Sequence, residues 1–164
     1  MELRSEISKS DLADALVLLL EKKEYQKISI QEIVDRAGLS RMAYYRNFES
    51  KDDILRFYLG KITDRFVKET QIDYDNLELD EYIAMLFTHL EQWASFCRLL
   101  QNNGLLHFVK SEFDRIFEGK AGTAAERYQY SFAAGGLFNI FSQWLSGNCK
   151  ETPGELAQIF RKFV

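Results

Sequence analysis

The stretch SIQEIVDRAGLSRMAYYRNFESKD, residues 29–52, decides how the rest of the chain is read. Ser29 and Glu32 stand at S-x-x-E spacing, in which each side chain satisfies an orphan backbone N–H of a helix start. Ile28 before the cap and Ile33 after it have the spacing of a hydrophobic staple. Ile30, Ile33, Val34 and Ala37 recur at i, i+3, i+4 and i+7, giving a short helix one apolar stripe. Gly38 ends that helix, because glycine enters the left-handed conformation without a Cβ penalty.

Ser40 caps a second short helix. Leu39 and Tyr44 are again at staple spacing, so Tyr44 is expected to point inward, with Phe48 one turn beyond it on the same face. At about 100° per residue, Met42, Ala43 and Arg46 then fall on the opposite face and Tyr45 on its edge. So short a helix is held by its neighbours, leaving its outer face presented. Two short helices, a glycine turn and a free face on the second are the layout of a helix-turn-helix, whose second helix enters the major groove of DNA.

The same residues resemble the DNA-binding domain of the TetR family of bacterial transcription regulators. The resemblance is carried by Ile28-Ser29-Ile30, Ile33, Ala37-Gly38-Leu39-Ser40, Tyr45, Phe48, Ser50-Lys51 and Leu55, all in register. It implies that Tyr45 and Lys51 are a phosphate-binding pair. Met42 stands where the family has a small residue and Asn47 where it has an aromatic or His. Both departures face or flank the groove and bear on operator sequence rather than on fold.

Bulk properties agree with a folded helical protein. The chain has 164 residues, 46% hydrophobic and 14% aromatic, which argues against disorder. One Pro and nine Gly leave few helix breakers. No segment reaches about 18 uncharged apolar residues, so none is expected to span a membrane. Residues 1–10 are charged and lack the apolar core of a signal peptide, which predicts a cytoplasmic protein. Cys97 and Cys149 lack C-x-x-C spacing and are expected to be free thiols. Residues 1–51 carry nine Lys/Arg and nine Asp/Glu, so the net charge of −4 belongs to the remainder. An acidic protein binds DNA where its cations cluster, and Arg41, Arg46 and Lys51 cluster around the second helix. Few such contacts imply a shallow salt dependence.

The pattern predicts an all-α protein of about nine helices. An N-terminal helix-turn-helix domain over residues 1–52 is followed by a helical effector-binding and dimerisation domain over 53–164. Ser8 is expected to cap the first helix, which runs to about Lys23. Ser50 caps a long fourth helix, with Asp52 and Asp53 suited to its positive dipole end. Ile72 to Leu79 reads as a linker loop. Helices are then expected over Asp80–Gln92, Ala94–Gln101 and Leu105–Phe117, the last ended by Gly119. Ala121–Ser146 reads as one helix of about 39 Å at 1.5 Å per residue. Thr152-Pro153-Gly154-Glu155 opens the last helix with a cap, a first-position Pro and a capping-box Glu.

The second half of the 121–146 helix is apolar nearly all round, which requires cover on more than one side. Gly135 and Gly136 at its middle cost about 0.8–1 kcal/mol each relative to Ala, but let another helix approach closely. Phe132, Gly135, Gly136, Phe138, Asn139 and Trp144 here, with Leu156, Ile159, Phe160 and Phe163 of the final helix, are the expected interface of a homodimer. Tyr130 to Phe132, Gly135-Gly136-Leu137, Trp144-Leu145, Gly147 and Lys150 to Pro153 resemble the C-terminal region of a TetR subgroup that includes dihydroxyacetone-kinase regulators. That resemblance implies a four-helix bundle across a two-fold axis.

The expected DNA contacts are Ser29, Ser40, Arg41, Met42, Ala43, Tyr45, Arg46, Asn47 and Lys51. Arg41 and Arg46 can each pair with guanine O6/N7, and Met42 and Ala43 can touch a thymine methyl. The alternative is that the arginines are solvated surface charge. His89 and His107 have no metal-ligand spacing, and no nucleotide-binding or nucleophile motif occurs, so no metal, cofactor or catalytic group is expected. Aromatic residues at helical spacing in the middle helices usually form core. The family resemblance implies instead an effector pocket, for which Tyr58, His89, Trp93, Phe96 and Phe108 are candidates.

These features lead to a homodimeric regulator on a near-palindromic double-stranded operator, most often a repressor in this family, released by a small-molecule effector. It is not expected to be an enzyme. The alternative is a co-regulator or adaptor of the same fold that works through a protein partner.

Overall fold

The computed structural model describes residues 2–70, 79–117 and 122–161. Among them are nine α-helices, one 3-10 turn and no strand, the all-α architecture expected. Two compact units are present, residues 1–63 and 64–164.

The first unit holds α1 (Glu2–Leu20), a 3-10 turn (Tyr25–Lys27), α2 (Ile30–Ala37), α3 (Arg41–Asn47) and the first part of α4 (Lys51–Thr70). Helix α1 buries Leu12, Ala13, Ala15, Leu16 and Leu20 and packs on both α2 and α3. It begins at Glu2 rather than at Ser8 as the capping pattern suggested. No Gly or Pro interrupts residues 2–8. The Ser8 hydroxyl, instead of capping, donates 3.0 Å back to the carbonyl of Arg4 and is buried inside the helix. Ser29 and Glu32 form the reciprocal capping box of α2. Gly38 takes φ 66°, and the N–H of Leu39 closes the turn on the Val34 carbonyl at 2.9 Å. Ser50 and Asp53 cap α4 reciprocally at 2.8–3.2 Å.

The second unit contains the remainder of α4, then α5 (Leu79–Gln92), α6 (Ala94–Asn102), α7 (Leu106–Phe117), α8 (Ala124–Ser146) and α9 (Pro153–Phe160). Its core joins Ile83, Leu86 and Phe87 of α5 to Phe96 and Leu100 of α6, Phe108 and Phe113 of α7, and Leu137, Phe141 and Trp144 of α8. Helix α9 packs against α5, and α7 against α8. The linker read over Ile72–Leu79 lies outside the described residues except for Leu79, which opens α5. Gly119 and Phe163 also lie outside them. Helix α8 starts at Ala124, later than expected, because Thr123 and Glu126 supply a capping box that the apolar periodicity concealed. After Gly147 the chain turns through two left-handed residues, Asn148 (φ 60°) and Cys149 (φ 52°). The Trp144 indole N–H donates 2.9 Å to the Glu151 carbonyl across that turn.

Two expected interface residues therefore belong to the subunit's own core. Trp144 is 3% exposed and stands edge-on to Phe87, with centroids 5.2 Å apart. Leu156 is buried on the apolar side of α9, the helix that packs on α5. The apolar girth of α8 is satisfied by neighbours within the chain on this side. On the other side Tyr128 (78% exposed) and Phe132 (84%) face solvent, and Asn139 and Ile159 are exposed. A methyl added at Gly135 or Gly136 would meet nothing within 4 Å. Phe138 and Phe160 are half-buried.

Candidate nucleic-acid interface

Seven residues of α3 make four longitudinal rows, because residues four apart share a face. Ser40 starts the helix by accepting 3.1 Å from the Ala43 N–H. The row of Tyr44 and Phe48 is buried, with Phe48 edge-on to Phe57 of α4 at 5.7 Å. The row of Ala43 and Asn47 faces α1. Rows Arg41/Tyr45 and Met42/Arg46 are left in solvent, Met42 at 78% exposure and Tyr45 at 56%.

Two expected contacts are corrected by this arrangement. Ala43 is buried at 8% exposure rather than turned outward, because α1 as well as the Tyr44 side claims a row of so short a helix. Asn47 is half-buried: its amide donates 2.7 Å to the Ala43 carbonyl, and its oxygen accepts 2.7 Å from the Ser5 hydroxyl. Sequence reading missed Ser5 because it lies 42 residues away from its partner.

The exposed rows carry graded chemistry. Arg41 donates 3.2 Å to the Tyr45 hydroxyl and lies 5.9 Å from that ring's centroid. A cation that polarises a phenol leaves the phenolic O–H free to donate to an anionic oxygen. Arg46 makes no ion pair or side-chain hydrogen bond among the described residues. Met42 offers a polarisable apolar tip.

Lys51 and Ser29 are more committed than their spacing suggested. The Lys51 ammonium donates to the carbonyls of Tyr25 (2.9 Å) and Ile28 (2.7 Å) and lies 4.6 Å from the centroid of the Tyr25 ring. Burial holds its pKa below the ordinary lysine value. Tyr25 in turn donates to Asp52 at 2.5 Å; burial first, then that carboxylate, push the phenol's pKa up. The Ser29 hydroxyl donates 2.8 Å to Glu32. Glu32 also accepts from Lys23 at 2.6 Å, and these partners, Lys23 first, lower its carboxyl to about 2.

Residues 8–56 match the family "Bacterial regulatory proteins, tetR family". That match lies within the first unit and covers α1 from Ser8 to the first part of α4. A solved structure described as a TetR transcriptional regulator from Streptococcus agalactiae 2603V is similar over 99% of this chain and 96% of its own. The TM-score is 0.68 at 20% identity, a likeness of fold. No curated protein matches the sequence.

Of the five pocket candidates, Tyr58 lies half-buried in the first unit. The other four are in the second unit. Phe96 and Phe108 are core residues, and Trp93 is half-buried at the start of α6. His89 is half-buried, its ring 4.7 Å from that of Phe66 and its Nε2 buried without a hydrogen-bond partner among the described residues. No helix among the described residues is long and apolar enough to cross a membrane.

Proposed function

We propose that the protein is a homodimeric, sequence-specific DNA-binding transcription regulator of TetR type, a repressor released by a small-molecule effector. The observation that carries the reading is the division of α3. Tyr44 and Phe48 anchor it while Arg41, Met42, Tyr45 and Arg46 stand in solvent on adjoining rows. A buried anchor beneath an exposed cationic and apolar ridge is what base-edge readout in a major groove needs. Tyr45 serves a phosphate, Arg41 and Arg46 read guanine edges, and Met42 meets a thymine methyl. Ser40 adds a hydroxyl at the helix start. Lys51 keeps one N–H for a phosphate beyond its two carbonyl partners.

The exposed stripe of Tyr128, Phe132, Gly135, Gly136 and Asn139 on α8, with Ile159 and Phe160 on α9, supports pairing of two copies. Two copies place two recognition helices on a near-palindromic operator. The second unit takes the effector beside His89 and Trp93, and the resemblance of its C-terminal motif supports a kinship with the dihydroxyacetone-kinase regulator subgroup. The effector acts by binding the released state more tightly than the DNA-bound one.

A gel shift with the duplex upstream of the protein's own gene tests the reading. Specific binding that falls at least tenfold in Arg41→Ala/Arg46→Ala is expected. Binding unchanged by that pair removes the base-reading assignment. Absence of any DNA binding moves the protein to the adaptor class, acting through a protein partner.

A further inference from the structure

We propose that Arg4, on the first turn of α1, is a further DNA-backbone contact, carried to the duplex by the hydrogen bond between Ser5 and Asn47. The proposal rests on the reading above that the TetR-type unit binds duplex DNA. The first turn of α1 lies outside the shared domain, since the helix begins at Glu2 and the family match at residue 8. Nothing in that match assigns these residues a role.

The turn is fastened to the recognition helix. The Ser5 hydroxyl donates 2.7 Å to Asn47 Oδ1. The Asn47 amide nitrogen is fixed on the Ala43 carbonyl at 2.7 Å, so its oxygen is the atom left for Ser5. The Ser8 hydroxyl, bonded to the Arg4 carbonyl, closes the same turn from within α1. The Asn47 side chain is therefore hydrogen-bonded at two points, and Ser8 bonds the carbonyl of the residue before Ser5.

Two guanidinium groups flank this link. Arg4 adjoins Ser5, and Arg46 adjoins Asn47. Both are exposed, and neither makes an ion pair or side-chain hydrogen bond among the described residues. Four other cations of the unit are paired close by, Lys9 with Glu6, Lys23 with Glu32, Lys27 with Glu24 and Arg56 with Asp53, whereas Lys22 and Arg36 are, like Arg4, without an ion pair among the described residues. Glu6, two residues after Arg4, is taken by Lys9 at 3.7 Å. Arg4 and Arg46 are thus uncompensated cations, each one residue in sequence from an end of this hydrogen bond. With Arg46 turned to a base edge, the phosphate backbone bordering the groove past the end of α3 is the anion that Arg4 fits, and guanidinium suits phosphate by bidentate geometry. Phosphate contacts fix register without reading sequence, so Arg4 contributes affinity rather than specificity.

The test is fluorescence anisotropy of the full chain with two labelled duplexes, the fragment upstream of its own gene and a scrambled fragment of equal length, from about 50 to 200 mM salt. Arg4→Ala is expected to lower the slope of log affinity against log salt by about 0.9 per bound protomer, and to weaken both duplexes by the same factor. Arg4→Lys retains the slope. Ser5→Ala, which unfastens the turn, loses the same increment, and Arg4→Ala added to it causes no further loss. Because Arg4 is exposed, its variants keep the wild-type unfolding curve. Wild-type binding with an unchanged slope in Arg4→Ala overturns this inference and leaves the DNA-binding reading intact. A full additive loss in the double variant overturns the role of the Ser5–Asn47 link. Wild-type protein that binds neither duplex at the lowest salt overturns both readings together.

Discussion

The ammonium of Lys51 donates 2.7 Å to the carbonyl of Ile28, tying the first residue of α4 to the residue before the α2 cap. With its second bond to Tyr25 it serves the carbonyls of the first residue and of the C-cap of the 3-10 turn, the former also accepting from the Ile28 N–H at 3.1 Å. The side chain spans the sequence gap between the helix that supports α3 and the one that follows it.

Lys51→Met is therefore expected to destabilise the protein by about 1–3 kcal/mol, measured as a fall in urea midpoint at constant slope. Lys51→Arg is not expected to restore it, since a planar fork cannot reproduce a point donor between two carbonyls. A Lys51→Met protein as stable as wild type would show these bonds to be incidental. Loss of DNA binding in a Lys51 variant must be read against this change in folding.

Tyr44 is fully buried, yet its hydroxyl has no hydrogen-bond partner among the described residues. Tyr44→Phe keeps the ring and removes the unsatisfied group, so stability is expected to rise by about 1 kcal/mol. Tyr44→Ala is expected to cost about 3–5 kcal/mol and abolish DNA binding. Thermal melts of the two variants decide it; a Phe variant that melts well below wild type would mean that the hydroxyl is bonded.

His89 has a folded pKa below its ordinary 6.5, chiefly through burial, with Arg65 acting in the same direction and Glu69 opposing. Below about 6.5 the unfolded chain takes up a proton that the folded chain resists. Stability is accordingly full above that pH and falls as pH drops from 6.5 towards the folded value. Melting temperature should decline between pH 7.5 and 5.5 and do so less steeply in His89→Phe. Equal pH profiles for the two proteins would place the His89 imidazole in water.

Gly136→Ala tests the proposed pairing of two copies through α8. A methyl there meets nothing within the chain, and the helix gains about 0.8–1 kcal/mol. Against a second copy packed closely on α8 the same methyl intrudes. The variant is expected to melt higher when dilute and to associate more weakly by sedimentation. Unimpaired association would put the contact elsewhere on α8.

Local signals carried most of the helical plan. Ser29-Glu32 and Gly38 act within one turn of themselves, so their spacing alone specifies α2 and its exit. The inward placement of Tyr44 and Phe48 followed from one period. What escaped depends on partners distant in sequence. Ala43 and Met42 adjoin, and only the position of α1 makes the first buried and the second exposed. Asn47 looked available because Ser5 could not be foreseen beside it. Trp144 looked available because a helix apolar all round does not say which side its own chain covers. Ser8 looked like a cap because its hydroxyl has the same reach backward to a carbonyl as forward to an N–H. The 3-10 turn at Tyr25–Lys27, too short for periodicity, is held by Lys51 through bonds spanning 26 and 23 residues.

The bond from Ser5 to Asn47 has a practical side. Less than one helical turn separates Glu2 from Ser5, so foreign residues fused ahead of Glu2 emerge close to the end of the recognition helix. A purification handle placed there brings its own bulk and charge to the surface being assayed. A poly-histidine handle would add titrating positive charge and counterfeit a steeper salt response. Affinities measured with such a leader attached describe the leader as well as the protein.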